Sequence, residues 1–447
     1  MKIHEKLKHD VVDSGTCMGC GACIVLDTAR VASMVQTAEG PVPQFKEETI
    51  LPDDVFDICP GSGINYPKLY RDHFGSLPEN WLLGNVVKAR TGYASDTTVR
   101  GKGASGGVLT QVLIHLLESN RVDAIAAVRQ GVPTPREARV VLAQSKEERL
   151  QCAQSVYIPV SVLDILQSFE PNKRYAMICL PDQAAALRRL QCDGHSAAQQ
   201  VKYVLGPYVG TQLMPAAIDC FMRAHGIAAE DDIIRLEWRA GDWPGYLEIE
   251  TESGRILRSK KVYYNFLIPF FATRGCRQTM DFSNEFSDLS VGDAWSPEFE
   301  AEGGGHSVLL TRSKEMEQII QSMCDSGMLT TTEIDPLKAG DMHGHMLDFK
   351  KRGSYIRNQW RHRRGKAAPD FGLKPNSITL SRQLTERVIS MIFVLAGSRF
   401  ARACVAHIPE KILGPLFNGL RLTWKRASRP TKRKGLAGLQ MIVEDES

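Results

Sequence analysis

Apolar and polar positions change period several times between residues 86 and 128. "VVKARTGYAS" at 86–95 is short and β-prone and reads as a strand, while "VRGKGASGG" at 99–107 has no apolar periodicity and reads as a loop. In "VLTQVLIHLLESN" at 108–120, Val108, Val112, Leu116 and Leu117 recur at helical spacing and predict a helix with one apolar face. The unbroken run "VDAIAAV" at 122–128 predicts a buried strand. The same reading gives a strand, a turn and a basic helix over "RYAMICLPDQAAALRRL" at 174–190, a hairpin over "LEWRAGDWPGYLEIETESGRILRS" at 236–259, and a short strand within "ATRGCRQTMDFSNEFSDLSVGDAW" at 272–295. Strands separated by helices over 86–330 predict an α/β or α+β domain. Beyond a proline-containing linker, "AAPDFGLKPNS", the pattern predicts a helix over "LSRQLTERVISMIFVLAGSRFARACVAHI" packed on the body. The basic stretch that follows, "LFNGLRLTWKRASRPTKRKG", reads either as a disordered tail or as a segment in peripheral contact with anionic lipid.

A chain of 447 residues is long for one core, so more than one domain is expected. The divisions fall at 1–80, 81–365 and 366–447. A net charge of +4 is small for this length and gives no reason to expect a nucleic-acid partner. "MKIHEKLKHDVVDSG" has no apolar signal region, and no run reaches the about 18 apolar residues of a membrane span. Eleven cysteines in that setting read as reduced thiols or metal ligands. The expectation is a cytoplasmic protein, with peripheral attachment at the inner face of the membrane as its variant.

The cysteines carry the sharpest signal. "CMGCGACIVLD" at 17–27 puts Cys17, Cys20 and Cys23 at two-residue intervals, and "ICPG" at 58–61 places Cys59 before a proline. Such spacing lets one tight loop wrap three thiolates around a corner of a cubic cluster, with the fourth ligand supplied from a distant segment. Gly19 and Gly21 permit unusual backbone angles and close approach of amide groups to the sulfurs. The pattern predicts one 4Fe-4S cluster on Cys17, Cys20, Cys23 and Cys59. In two-cluster ferredoxins the run continues to another cysteine; here that position is Asp27, so this run predicts one cluster only. The competing readings are unrelated buried thiols and a structural zinc site, although zinc usually takes two separated ligand pairs. A cluster moves one electron at a time and needs a redox partner.

Gly101, Gly103 and Gly106 formally match G-x-G-x-x-G. A dinucleotide fold also needs an acidic residue at the end of the second strand, and Asp123 lies before that strand. What survives is a helix amino terminus preceded by glycines, Lys102 and Ser105. Backbone amides there can take an anionic group or a flat ring, against the simpler reading of a tight turn.

The ferredoxin-type run, "GKGASGGVLTQVLIHLLESNRVDAI", "CLPDQ", "WRAGDWPG" and "SDLSVGDAW" occur in this order. In this the chain resembles the family of coenzyme F420 hydrogenase/dehydrogenase beta subunits over residues 10–365; relatives in that family include plant 7-hydroxymethyl chlorophyll a reductase. The resemblance implies an α+β protein with a small ferredoxin-like iron–sulfur segment ahead of an α/β-like flavin domain. It implies an oxidoreductase in which FAD exchanges hydride on one side and single electrons with a cluster on the other. It places a flavin at Ser105, Gly106 and Gly107 of "ASGG", which with Lys102 and Gly103 of the glycine turn make up the expected flavin site, and adds Asp293 of "VGDAW" as a further segment. The implied partner is a redox protein or a hydride-carrying cofactor, and members outside methanogens often accompany exopolysaccharide synthesis. The alternative is an electron-delivery or binding module of a polysaccharide-modifying complex, with no substrate reaction of its own. No catalytic acid or base is assigned.

The chain also departs from that family's pattern. Asp182 in "CLPDQ" stands where many members have a cysteine, "YVLGPYVG" at 203–210 lacks another, and Thr279 takes the place of a partner to Cys276. Threonine is a poor ligand for a sulfide-bridged iron site, so a second cluster is not expected. His343 and His345 are too few for a metal site and read as solvent-facing or substrate-contacting. "KKRGSYIRNQWRHRRGK" at 350–366 reads as a solvated basic helix face.

Overall fold

Apolar side chains alternate between the two faces of each strand, and this alternation builds a three-layer core. A computed structural model describes residues 1–228 and 231–444. Eight strands form the central sheet: β1 (Lys88–Ala94), β2 (Ala124–Gln130), β3 (Ala138–Ala143), β4 (Tyr175–Ile178), β5 (Val201–Pro207), β6 (Leu289–Asp293), β7 (Ser307–Thr311) and β8 (Leu329–Ile334). Their order is β8-β1-β7-β6-β5-β4-β2-β3. The four strands β6, β5, β4 and β2 run parallel, and the remaining pairings are antiparallel. Ala176, Leu205 and Leu309 face one side, where helix α1 (Val108–Glu118) packs through Val112, Leu113 and Leu116. Met177, Val204 and Leu310 face the other, under helix α2 (Pro181–Cys192) with Leu187 and Leu190. The architecture is mixed α/β.

The amino-terminal residues form a hairpin, Ser33–Thr37 against Gly40–Gln44, with short helices Ala22–Val25 and Val55–Ile58 beside the cysteines. Asp27 fixes this arrangement. Its carboxylate accepts backbone N–H groups from Ala29 (3.2 Å), Val31 (2.8 Å), Ala32 (2.8 Å) and Ile50 (2.9 Å). Burial alone would raise its pKa, but those donors outweigh it and hold the carboxyl below its ordinary value.

Several sequence expectations need correction. Four of the nine residues read as a loop, 99–102, lie in a helix, Thr97–Lys102, because the Asp96 carboxylate caps the N–H groups of Thr98 and Val99. The hairpin at 236–259 is a three-stranded meander, Ile233–Ala240, Tyr246–Thr251 and Ile256–Lys260. The solvated basic face is largely interior: Lys350, Lys351, Arg352 and Arg357 are all buried, with Lys351 paired to Glu285 and Arg357 to Glu386.

The carboxy-terminal part departs furthest. The single predicted helix is two, α3 (Leu380–Ala396) and α4 (Arg399–Val405), bent by 72° at Gly397–Ser398. The basic stretch is ordered as helix α5 (Glu410–Arg433) instead of a disordered tail. Helix α3 is also inverted. Arg382 and Glu386 point inward, while Leu384, Met391, Val394 and Leu395 are exposed. Arg382 donates from Nε to Asp348 Oδ1 (3.0 Å) and from Nη2 to Glu386 Oε2 (2.9 Å), and Arg357 Nη1 donates to Glu386 Oε1 (2.6 Å). The polar face is therefore the one that docks on the body.

Candidate functional site

The four cysteines singled out by spacing come together. Cys17, Cys20, Cys23 and Cys59 line one cavity, with Gly19, Gly21 and Pro60. Gly19 and Gly21 have φ of +63° and +87°, and both are pressed between neighbours. A Cβ on Gly19 would meet the Pro41 carbonyl oxygen at 2.6 Å; one on Gly21 would meet Ser161 Oγ at 2.5 Å and the Asp164 nitrogen at 2.8 Å. The loop is thus clamped between the hairpin and the turn Leu163–Ser168. Burial pushes the Cys17 thiol up to about 12, with the nearby Cys59 adding to the rise, and Cys20 and Cys23 shift up for the same reasons. Four thiols in such a place ionise together only against a cationic centre, which fits the donor set of an iron–sulfur cluster. Among the described residues no group of three or more His, Cys, Asp and Glu side chains is arranged to hold a single metal ion. The four thiols line a small cavity.

A second, larger cavity of about 270 Å³ opens at the carboxyl ends of the parallel strands, lined by Ile178, Pro207 and Asp293 from three of them. Ligands of open α/β sheets bind at this edge. Of the residues predicted from sequence, Gly103, Ser105, Gly107 and Asp293 line it. Lys102 does not; it is exposed at the end of its helix. Gly106 is turned toward the sheet, where a Cβ would meet the Gly92 carbonyl oxygen at 2.7 Å. Its lack of a side chain serves strand packing. Ser105 Oγ donates to the His306 carbonyl oxygen at 2.6 Å, so its hydroxyl is already committed.

The charged residues of the cavity were not legible as such. Arg149 is 2% exposed and lines the cavity beside the amino end of α1, where its Nη2 donates to Thr110 Oγ1 at 3.2 Å. Its Nε and Nη1 have no hydrogen-bond partner among the described residues. Burial lowers its pKa to about 10, still cationic at neutral pH. On another wall, Arg239 donates to both Asp293 carboxylate oxygens (3.3 and 3.4 Å), to Tyr157 Oη (3.3 Å) and to the Ala104 carbonyl oxygen. Trp243 Nε1 donates to Asp293 Oδ1 at 3.0 Å. Asp293 is therefore a clamp on Arg239. Lys261 donates to Tyr157 Oη and sits 3.8 Å from the centroid of its ring. Burial would raise the Tyr157 pKa, but the charges of Lys261 and Arg239 outweigh it and bring the phenol down to about 8.

His343, expected to face solvent or substrate, is buried. Its Nε2 donates to the Asp293 carbonyl oxygen at 2.8 Å, and burial lowers its pKa to about 4, so it is neutral. Around Cys276, Lys350 Nζ donates to the Cys276 carbonyl oxygen (2.6 Å) and to Thr279 Oγ1 (2.9 Å). The buried Asp182 carboxyl faces the same ammonium, which offsets part of the rise that burial imposes on it. A lysine and a carboxyl occupy this place.

Comparison with known proteins gives the family. Residues 89–167 match the amino-terminal part, and residues 172–337 the carboxy-terminal part, of the family described as "Coenzyme F420 hydrogenase/dehydrogenase, beta subunit". The chain is 23% identical to a coenzyme F420-dependent sulfite reductase of Methanocaldococcus jannaschii over 80% of its own length and 54% of the relative's, so it spans about half of that protein. It is 23% identical to the beta subunit of coenzyme F420 hydrogenase from Methanococcus voltae, over 58% of this chain and 88% of that one. A chain of the F420-reducing NiFe hydrogenase complex from Methanosarcina barkeri shares the fold at a TM-score of 0.50 and 18% identity, covering 63% of this chain and 96% of that chain. The two matched parts run in order through the central sheet and the larger cavity, and the chain belongs to the family of coenzyme F420 hydrogenase/dehydrogenase beta subunits.

Proposed function

We propose that this chain is an iron–sulfur flavoprotein oxidoreductase with one 4Fe-4S cluster and FAD, exchanging electrons between a hydride donor or acceptor and a redox partner protein. The observation that carries the flavin part is Arg149. A buried guanidinium with two unpartnered donors, beside the amino end of an eleven-residue helix, is uncompensated until an anion arrives. The diphosphate of a flavin dinucleotide supplies that anion. When bound, the flavin supplies hydride exchange and the cluster supplies one-electron transfer.

The chain's own residues have distinct parts in this reading. Arg149 and the amino end of α1 hold the phosphates. Gly103 and Gly107 keep the loop at the cavity wall tightly folded, since a Cβ on Gly103 would meet Gly107 Cα at 2.7 Å and one on Gly107 the Val99 carbonyl oxygen at 2.8 Å. Asp293 fixes Arg239 at the wall, and Tyr157, set against Lys261, holds or releases a proton at its Oη near neutral pH. Cys17, Cys20, Cys23 and Cys59 hold the cluster.

The test is the visible absorption spectrum of anaerobically purified protein, with extraction and chromatography of the flavin. Flavin bands over a broad iron–sulfur absorption, with FAD released on denaturation, are expected. A colourless protein carrying zinc would overturn the reading.

A further inference from the structure

The three carboxy-terminal helices lie outside the redox sites, and their surface has two properties that do not ordinarily occur together. The outward face of α3 is apolar: Leu384, Val388, Met391, Ile392 and Leu395 follow at helical spacing, and Val394 is 70% exposed. Phe400 on α4 is 80% exposed, and Ile412, Leu416 and Leu420 continue the pattern at every fourth residue on α5. The exposed charges that the three helices themselves contribute are all cationic. Arg387, Arg399, Lys411, Lys425, Arg426 and Arg429 are all exposed. Between Leu380 and Lys434 the only carboxylates are Glu386 and Glu410, and both are buried, Glu410 accepting a hydrogen bond from Ser259 Oγ at 2.8 Å. Arg433 pairs with the exposed Asp341, whereas none of the six exposed cations just named forms a salt bridge among the described residues.

From this geometry we infer that α3, α4 and α5 seat the protein on an anionic lipid surface, with the apolar side chains entering the acyl boundary and the arginines and lysines meeting headgroup phosphates. Helices with a strongly apolar face and a basic polar face lie in the plane of such an interface. Basic residues near an anionic bilayer add to binding one by one. Trp424, with Lys432 Nζ 5.9 Å from its ring centroid, has the amphipathic character favoured at headgroup depth. The helices lie on the bilayer instead of crossing it. Among the described residues no single helix is long and apolar enough to span, α3 and α4 are bent apart, and α3 carries buried Arg382 and Glu386 on its other face. An acidic protein partner would satisfy the cations but would leave protruding residues such as Val394 and Phe400 without a complementary surface. The inference stands apart from the redox reading, and loss of flavin or iron would leave it intact.

The experiment is co-sedimentation of the full-length protein with vesicles of phosphatidylcholine alone and of phosphatidylcholine with phosphatidylglycerol. The protein is expected to sediment with the anionic vesicles and stay in solution with the neutral ones. A variant combining Lys425→Gln, Arg426→Gln and Arg429→Gln is expected to bind about tenfold more weakly. A variant combining Met391→Gln, Val394→Gln and Phe400→Gln should lose binding by at least that much. All of these side chains are exposed, so both variants should keep the native unfolding temperature, read by circular dichroism. Native protein that ignores anionic vesicles, or variants that bind as well as native, would overturn the proposal. So would a dimer or protein complex whose assembly, in place of vesicle binding, is lost on Phe400→Gln.

Discussion

Val162 donates its backbone N–H to the Cys20 carbonyl oxygen at 3.3 Å, while Val162 itself lines the larger cavity. Leu163 donates to the same oxygen at 2.9 Å. One residue of the thiol loop is thus joined directly to the wall of the neighbouring site. In the proposed reading this hydrogen bond offers a direct main-chain route for an electron between the two centres.

Because that link runs through the main chain, the side chain of Cys20 can be removed without breaking it. Cys20→Ala is expected to abolish iron and sulfide, about four of each in native protein, while flavin content stays near native. Elemental analysis and flavin extraction on the same sample check both halves. Iron that survives the change would place the cluster elsewhere.

Arg149→Met separates binding from folding. The native guanidinium is buried with no carboxylate partner, so the apoprotein should be no less stable with an apolar side chain of similar length. Cofactor affinity should fall by roughly ten- to a hundredfold, the worth of one charge-assisted contact of about 1.5–3 kcal/mol. Calorimetric titration of apoprotein with FAD, alongside thermal melts, measures the two effects. Undiminished affinity would remove Arg149 from the site.

Tyr157 should titrate near pH 8, about two units below a free phenol, as followed by ultraviolet phenolate absorbance. Below that pH the phenol carries its proton; above it the anion is stabilised by Lys261 and Arg239. Lys261→Met removes the leading favourable charge and leaves burial to act, so the transition should move upward. A titration unchanged by Lys261→Met would mean that the two groups do not interact.

Asp27 is expected to be a stability residue and not a metal ligand. Asp27→Asn turns one acceptor into a donor facing backbone N–H groups and should cost about 1–3 kcal/mol in unfolding experiments. Its folded pKa lies below the unfolded one. Its contribution is therefore complete above the unfolded pKa and is lost as pH falls through the lower folded value. Native and variant melting curves should converge in acid.

Cys276→Ser should leave iron content and the reduced-state paramagnetic signal unchanged, because Lys350 occupies the surroundings of this thiol. Loss of half the iron would show that Cys276 holds a second cluster after all.

The thiol ring and the helix α1 were legible because local spacing carries them. Cys17, Cys20 and Cys23 fall in one loop, and Val112 and Leu116 fall on one helical face. Arg149 was not legible: it sits in "SKEERLQC", which reads as a solvated helix, and only the order of the sheet brings it to the strand ends. Tyr157 lies in an irregular stretch with no period to read. Lys350, Lys351 and Arg357 look like solvent-facing charges because their partners Glu285 and Glu386 are remote in sequence. Helix α3 was misjudged for a related reason. An amphipathic period marks two faces but not which one is inside, and the choice was made by Asp348 and Arg357, which offer counter-charges to its polar side.

That ion network also decides how α3 can behave. Rolling the helix to hide Met391 and Leu395 would strip Asp348 and Arg357 of their partners in a place water does not reach. Breaking a buried pair in this way costs about 3–5 kcal/mol. The outward apolar stripe is therefore the favoured form of the folded chain, and hiding it by rolling α3 is disfavoured by that cost.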